Sequence, residues 1–172
     1  EKAAELTSLL KAAGIRARSD MSDQSPGWKY SEYEMKGVPL RIEVGPRDIE
    51  NGQCIAVRRD NREKEVIPFD MLAERAAALL EEIQLGMFER AKKNLLDRTF
   101  TAHSLDEAKE IISRKTGFVK MMWCGDEACE NLVKEEAGMT SRCIPFEQEH
   151  IDDHCAICGK PAKHMVYWGI AY

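Results

Sequence analysis

The sequence predicts an α/β unit, a sheet flanked by helices, followed by a small α+β unit. Three observations carry this. Apolar periodicity switches between three-to-four-residue and two-residue spacing through residues 1–68. One apolar stripe then continues from Leu72 to Leu95 without a break. Beyond it, short apolar runs surround two closely spaced cysteine pairs. A chain of 172 residues with 44% hydrophobic content can bury one or two real cores.

Residues 2–13 read as a helix, with Ala3, Leu6, Leu9, Leu10 and Ala13 on one face and Gly14 closing it. Ile15 to Arg18 is a short strand candidate. Ser25-Pro26 opens a second helix that ends before Gly37, and its Trp28 reads as core. Val38, Leu40, Ile42 and Val44 alternate with Pro39, Arg41 and Glu43, the pattern of a half-buried strand. Gly45 to Asp48 reads as a turn, Gln53 to Arg59 as a second strand and Glu65 to Ile67 as a third, which makes an antiparallel meander. Leu72, Ala76, Leu79, Ile83, Met87, Ala91 and Leu95 define one long helix. Ser104 caps the next, with Leu105, Ala108, Ile111 and Ile112 as its stripe. Phe118 to Trp123, Ser141 to Phe146 and His164 to Ala171 read as strands, and Asp126 to Ala137 as a helix. The expected domains are residues 1–99, ending on the long helix, and residues 100–172.

The formal net charge is −5 and the pI about 5.5, so no global basic field advertises nucleic-acid binding. Residues 1–68 balance to zero, whereas residues 116–172 hold 5 Lys+Arg against 9 Asp+Glu. An RNA contact would therefore use a local basic face in the first part. No apolar run is long enough to span a bilayer.

Cys124-x4-Cys129 and Cys155-x2-Cys158 lie 25 residues apart. Two such pairs can wrap one tetrahedral Zn²⁺ in four thiolates, a closed shell that builds structure and leaves no site for chemistry. Two disulfides or a redox motif would use the same cysteines. The absence of a signal-peptide pattern favours a reducing, cytoplasmic setting, and Gly159-Lys160-Pro161 breaks the helix that a redox motif would need. Cys54 lies far away in a strand-like run, and Cys143 reads as a buried thiol in an apolar strand. His154 and His164 could substitute as ligands, but four sulfurs already satisfy the metal.

The stretch from Pro26-Gly-Trp-Lys-Tyr to Val44-Gly-Pro-Arg-Asp48 resembles a signature in the anticodon-binding domain of class II prolyl-tRNA synthetases. Val57 to Asp60, Phe118 to Cys129, Arg142 to Phe146 and Tyr167 to Tyr172 continue the likeness, which covers nearly the whole chain. The pattern resembles the archaeal/eukaryote-like type with its C-terminal zinc-binding domain. The resemblance implies a mixed sheet flanked by helices in the anticodon-binding domain. It implies a role in attaching proline to its tRNA, with ATP and Mg²⁺ used only in a catalytic core outside these residues. The chain alone is then expected to be inactive. Implied partners are the tRNA(Pro) anticodon loop, the catalytic domain of the same enzyme and, for the full enzyme, a second copy. A structural or organising role at the terminal Tyr172 is also implied. The alternative is a free-standing anticodon-domain-like module that binds RNA or protein with a structural zinc and is not an enzyme.

Proline codons read CCN, so the anticodons carry two invariant guanines. A guanine's Watson–Crick edge presents two N–H donors and a carbonyl, and a carboxylate accepts from both donors while Arg donates to O6 and N7. Single-stranded loop bases can also stack on aromatic rings. By resemblance, the anticodon-reading role falls on Tyr30, Glu34, Arg41 and Arg47. Read from the residues alone, Glu34 and Arg41 are a surface ion pair beside a half-buried Tyr30. Lys36, Arg58 and Arg59 are candidate phosphate contacts.

Overall fold

A computed structural model describes residues 1–171; Tyr172, and with it the expectation placed on that residue, lies outside the described residues. Two compact units divide between Arg90 and Ala91. The fold is mixed α/β, with sheets flanked by helices.

In the first unit, α1 (Lys2–Ala12) buries Leu6 and Leu10 and ends before Gly14, whose φ of +80° suits only a residue without a side chain. α2 (Pro26–Met35) starts where the Ser25 hydroxyl accepts from the Trp28 N–H, with proline at the first helical position. β1 (Leu40–Glu43), β2 (Gln53–Arg58) and β3 (Lys64–Pro68) form the expected meander, in the order β1-β2-β3 and wholly antiparallel. The Gly45-Pro46 segment is more than a turn. It opens a short helix, α3 (Pro46–Glu50), in which the Asp48 carboxylate accepts from the Gly45 N–H at 2.8 Å. The core joins Leu6 and Leu10 to Cys54, Ala56, Ile67, Leu72, Ala76 and Leu79.

Two expectations fail here for identifiable reasons, and the long helix forms as expected with only part of its stripe buried. Ile15 to Arg18 pairs with no strand among the described residues. Its alternation reflects Ile15 and Ala17 leaning on the core, and a strand also needs a hydrogen-bonded edge. Trp28 is 48% exposed. It shares a helix face with Met35, seven residues on, while Tyr30 and Tyr33 occupy the more buried side. The stripe of α4 (Leu72–Asp97) is buried only at Leu72, Ala76, Leu79 and Ile83; Met87 and Leu95 keep the period but are exposed. Periodicity shows that a face is apolar, not that something covers it.

The second unit holds β4 (Thr99–Thr101), α5 (Leu105–Arg114), β5 (Phe118–Trp123), α6 (Glu127–Ala137), β6 (Met139–Cys143) and β7 (His164–Ile170). Its sheet runs β4-β5-β7-β6, parallel only between β4 and β5, so the mixed pairing lies in this unit. β4 is three residues long and leaves no alternation to read in the sequence. Ser104 and Asp126 cap α5 and α6 through their side chains, and Gly138 ends α6 in the left-handed region. The strand expected over Ser141 to Phe146 is β6, displaced toward Met139 and bulged between Ser141 and Cys143. Cys143 is therefore exposed rather than buried, because β6 is an edge strand whose inward residue is Met139. Cys54 lies on β2, in the strand expected for it, and is fully buried; burial pushes its thiol up to about 11.

Gly117 sits at φ +154°, and a Cβ there would lie 2.0 Å from the Arg98 carbonyl oxygen. That carbonyl accepts the Phe118 N–H at 2.8 Å, where β4 meets β5. Gly117→Ala is expected to cost the second unit about 3 kcal/mol, because backbone must move on both sides of the clash. Thermal unfolding of the variant measures it, and an unchanged midpoint would contradict the close approach.

Candidate functional site

The four cysteines arrive from two directions. Cys124 directly follows β5, Gly125 at φ +87° turns the chain after it, and Cys129 lies in the first turn of α6. Cys155 and Cys158 sit in a tight loop held by Cys155 N–H to Lys160 O and Gly159 N–H to Cys155 O, with Gly159 at φ +70°. Ala156 N–H to Met122 O and Lys163 N–H to Trp123 O tie that loop to β5. All four sulfurs lie within 4.8 Å of one another, and Cys124 Sγ is 3.7 Å from both Cys129 Sγ and Cys158 Sγ.

These separations suit a metal. Four thiolates about 2.3 Å from a tetrahedral zinc stand about 3.8 Å apart, whereas a disulfide needs about 2.05 Å. No cysteine is paired in a disulfide among the described residues. Burial raises the thiols of Cys129 and Cys155, while the Lys160 backbone N–H helps lower Cys158 to about 7. A cation at the centre would supply the charge that lets all four ionise. The cluster can hold a metal ion with its sulfurs alone. His154 faces Asp152, and His164 lies beside the Trp123 ring.

The residues expected to read RNA are partly assembled. Tyr30 and Glu34, one turn apart on α2, face Arg41 on β1. The Arg41 guanidinium lies 4.0 Å from the Tyr30 ring centroid, a cation–π stack that leaves at most the ring's other face for a base. Its Nη1 donates to Glu34 Oε1 at 2.7 Å and its Nε to Glu43 Oε1 at 2.8 Å, with Nη2 in the same ion pair. The second Glu34 oxygen pairs with Arg62, and the Glu34 carbonyl accepts from Arg59 Nε at 2.8 Å. Arg47 does not join them. It lies exposed on α3, without a side-chain ion pair among the described residues.

Two participants were missed in the sequence. Glu43 holds one edge of Arg41, and Arg62 reaches Glu34 from the β2–β3 turn, where it holds φ +67°. Glu43 had a local signal, its place two residues from Arg41 on the same face of β1, whereas Arg62 had none because it acts across the fold. Of the candidate phosphate contacts, Lys36 pairs with Glu32, and Arg58 is held by two 3.0 Å bonds to Asp60.

Arg62, then Arg41, hold the Glu34 carboxyl below the ordinary glutamate range. Its ion pairs thus add stability that is complete above that range and is lost as pH falls through the lowered value. Glu34→Gln is expected to unfold at lower urea than the parent at pH 7, and the two should converge in acid. The difference should be small, because the side chains are partly solvated and solvent screens the pair. An equal gap at pH 7 and in acid would exclude this linkage.

A family model described as "Anticodon binding domain" matches residues 1–79, and one described as "Prolyl-tRNA synthetase, C-terminal" matches residues 105–172. Curated relatives align along the chain: Proline--tRNA ligase of Lachnospira eligens at 54% identity over all of it, that of Clostridium novyi at 56% over all of it, and Proline--tRNA ligase 2 of Bacillus cereus at 53% over 99%. The chain corresponds to the C-terminal region of proline–tRNA ligases. It spans 36% of the length of each of these relatives. Among the described residues, no helix is long and apolar enough to cross a membrane.

Proposed function

We infer that this chain is the tRNA-selecting and supporting part of a cytoplasmic ligase that joins proline to tRNA(Pro) with ATP. The observation that carries it is identity of 52–56% with proline–tRNA ligases along the chain. ATP, Mg²⁺ and the catalytic chemistry belong to the part of the enzyme outside these residues, and the full enzyme acts as a homodimer. Residues 1–99 form the anticodon-binding domain with α4 as its last helix, and residues 100–172 the zinc domain. The two family matches, ending at residue 79 and resuming at residue 105, are compatible with that division. The architecture is the archaeal/eukaryote-like one. The four-cysteine cluster supports it, although the relatives named above are bacterial.

Tyr30, Glu34, Arg41 and Arg47 read the anticodon. The convergence of an aromatic ring, a carboxylate and a guanidinium supports the first three; Arg47 lies apart, free to meet the loop from α3. Zn²⁺ is held by Cys124, Cys129, Cys155 and Cys158, where it would crosslink β5, α6 and the Cys155–Cys158 loop. Binding of the chain to a proline anticodon stem-loop, against the same RNA with adenines replacing both guanines, tests the reading. Preference for the guanine loop is expected, and equal binding would overturn it.

A further inference from the structure

Beside the Glu34 site, a solvent-open cavity of about 670 Å³ lies between α2, the β2–β3 turn and α4. Arg59 and Arg62 reach it from the β2–β3 turn and Arg90 from α4. Within an acidic chain, its lining carries three guanidiniums against two carboxylates, Glu34 and Asp60. The carboxylates do not exhaust the donors. Asp60, only 3% exposed at its side chain, is already held by Arg58, so Arg90 makes one long contact of 3.4 Å to it. Arg62 uses one nitrogen on Glu34. The Arg62 and Arg90 side chains remain 62% and 59% exposed. Each guanidinium has five N–H donors, so most are unspent. Met35, 85% exposed, and Met87 add soft apolar walls.

We propose that this cavity is a second RNA subsite, which takes the phosphodiester-linked nucleotide next to the base held at Tyr30, Glu34 and Arg41. Arg62 and Arg90 grip the phosphate, and the methionines face the ribose or base. The proposal rests on the anticodon reading above and adds a coupling to it. In the free chain both Glu34 oxygens are occupied, one by Arg41 and one by Arg62. A guanine edge needs acceptors and competes with both arginines for these oxygens, so the departure of one counterion favours it. A phosphate in the cavity gives Arg62 a new partner and releases that oxygen. Arg62 is thereby the link between phosphate gripping and base reading. The charge-assisted, forked geometry of Arg suits such an exchange better than the point charge of Lys.

The test measures salt-dependent binding of the 172-residue chain to three RNAs. They are a proline anticodon stem-loop, the same loop with adenines for guanines, and the guanine loop with a neutral methylphosphonate at one linkage flanking the guanines. Arg90→Ala leaves Asp60 held by Arg58 and is the cleaner variant. It is expected to weaken both charged loops about fivefold at low salt and to flatten the slope of log K against log salt by about 0.7. With the neutral linkage, neither Arg90→Ala nor Arg62→Ala should bind worse than the parent chain. Glu34→Gln should lose affinity for the guanine loop only. If Glu34→Gln loses guanine preference while both arginine variants bind normally, the cavity is not a subsite and the base contact stands. An arginine effect that survives every neutral linkage tested marks a diffuse field and overturns the subsite. An arginine effect confined to one linkage with Glu34→Gln silent keeps the cavity and overturns the guanine contact. Normal binding by all variants overturns both.

Discussion

Replacing both Cys155 and Cys158 by serine is expected to abolish metal binding and to destabilise the second unit by more than about 4 kcal/mol. Elemental analysis of the parent chain should give one Zn²⁺ per chain. The size of the effect follows from how the unit is built. The cysteines form their own small cluster, with Trp123 and Ile157 packed on Cys124, Cys129 and Cys155. The main core, from Ala102 to Trp168, is a separate cluster. Without metal, the Cys155–Cys158 loop is tied down by a few backbone bonds to β5 and by contacts that polar serines would weaken. The main core should keep some helix and sheet, so circular dichroism would fall less than the unfolding midpoint. Cys143→Ser is the control: the thiol is exposed on an edge strand outside the cluster, and metal content should not change. Full zinc in the double variant would remove these residues as ligands.

The features legible in the sequence share a local cause. Ser25, Ser104 and Asp126 announce helix starts because a cap acts within three residues. The cysteine pairs were legible because each chelate is local in the chain, and α6 and β6 account for the gap between them. The meander showed because its alternation is local too. What failed depended on partners far along the chain. Ile15 to Arg18 has the pattern of a strand but no edge to join. Trp28 and Cys143 have apolar character but lie on faces that the described fold leaves open. At the candidate RNA site, the spacing of Tyr30 and Glu34 put them on one side of α2. The two-residue spacing of Arg41 and Glu43 put those on one face of β1, but no spacing could show that Arg62 would close on Glu34 from a turn 28 residues away.

Arg41→Ala and Glu34→Gln, placed in the full-length ligase, are each expected to weaken discrimination for the guanine anticodon by about 1–3 kcal/mol, the value of a good bidentate base contact. The two losses should have different origins. Arg41 is stacked on Tyr30 and tethered by Glu34 and Glu43, so little freedom remains for it to lose on meeting a base. Its removal takes away a preorganised donor and also leaves Glu43 without its arginine. In Glu34→Gln the shape survives, but one carboxylate oxygen becomes an N–H₂ donor facing the guanine's own N–H groups. Neither loss should appear with an anticodon whose guanines are already replaced, because no matching edge remains to be read. The competing account is a surface ion pair, which these geometries also describe, and it predicts something different. Both variants would then lose only a little folding stability and would charge tRNA with unchanged efficiency and unchanged guanine preference. Aminoacylation of wild-type and guanine-substituted tRNA(Pro) by the two variants decides between these accounts. Unchanged preference in both variants would reduce Glu34 and Arg41 to structural partners.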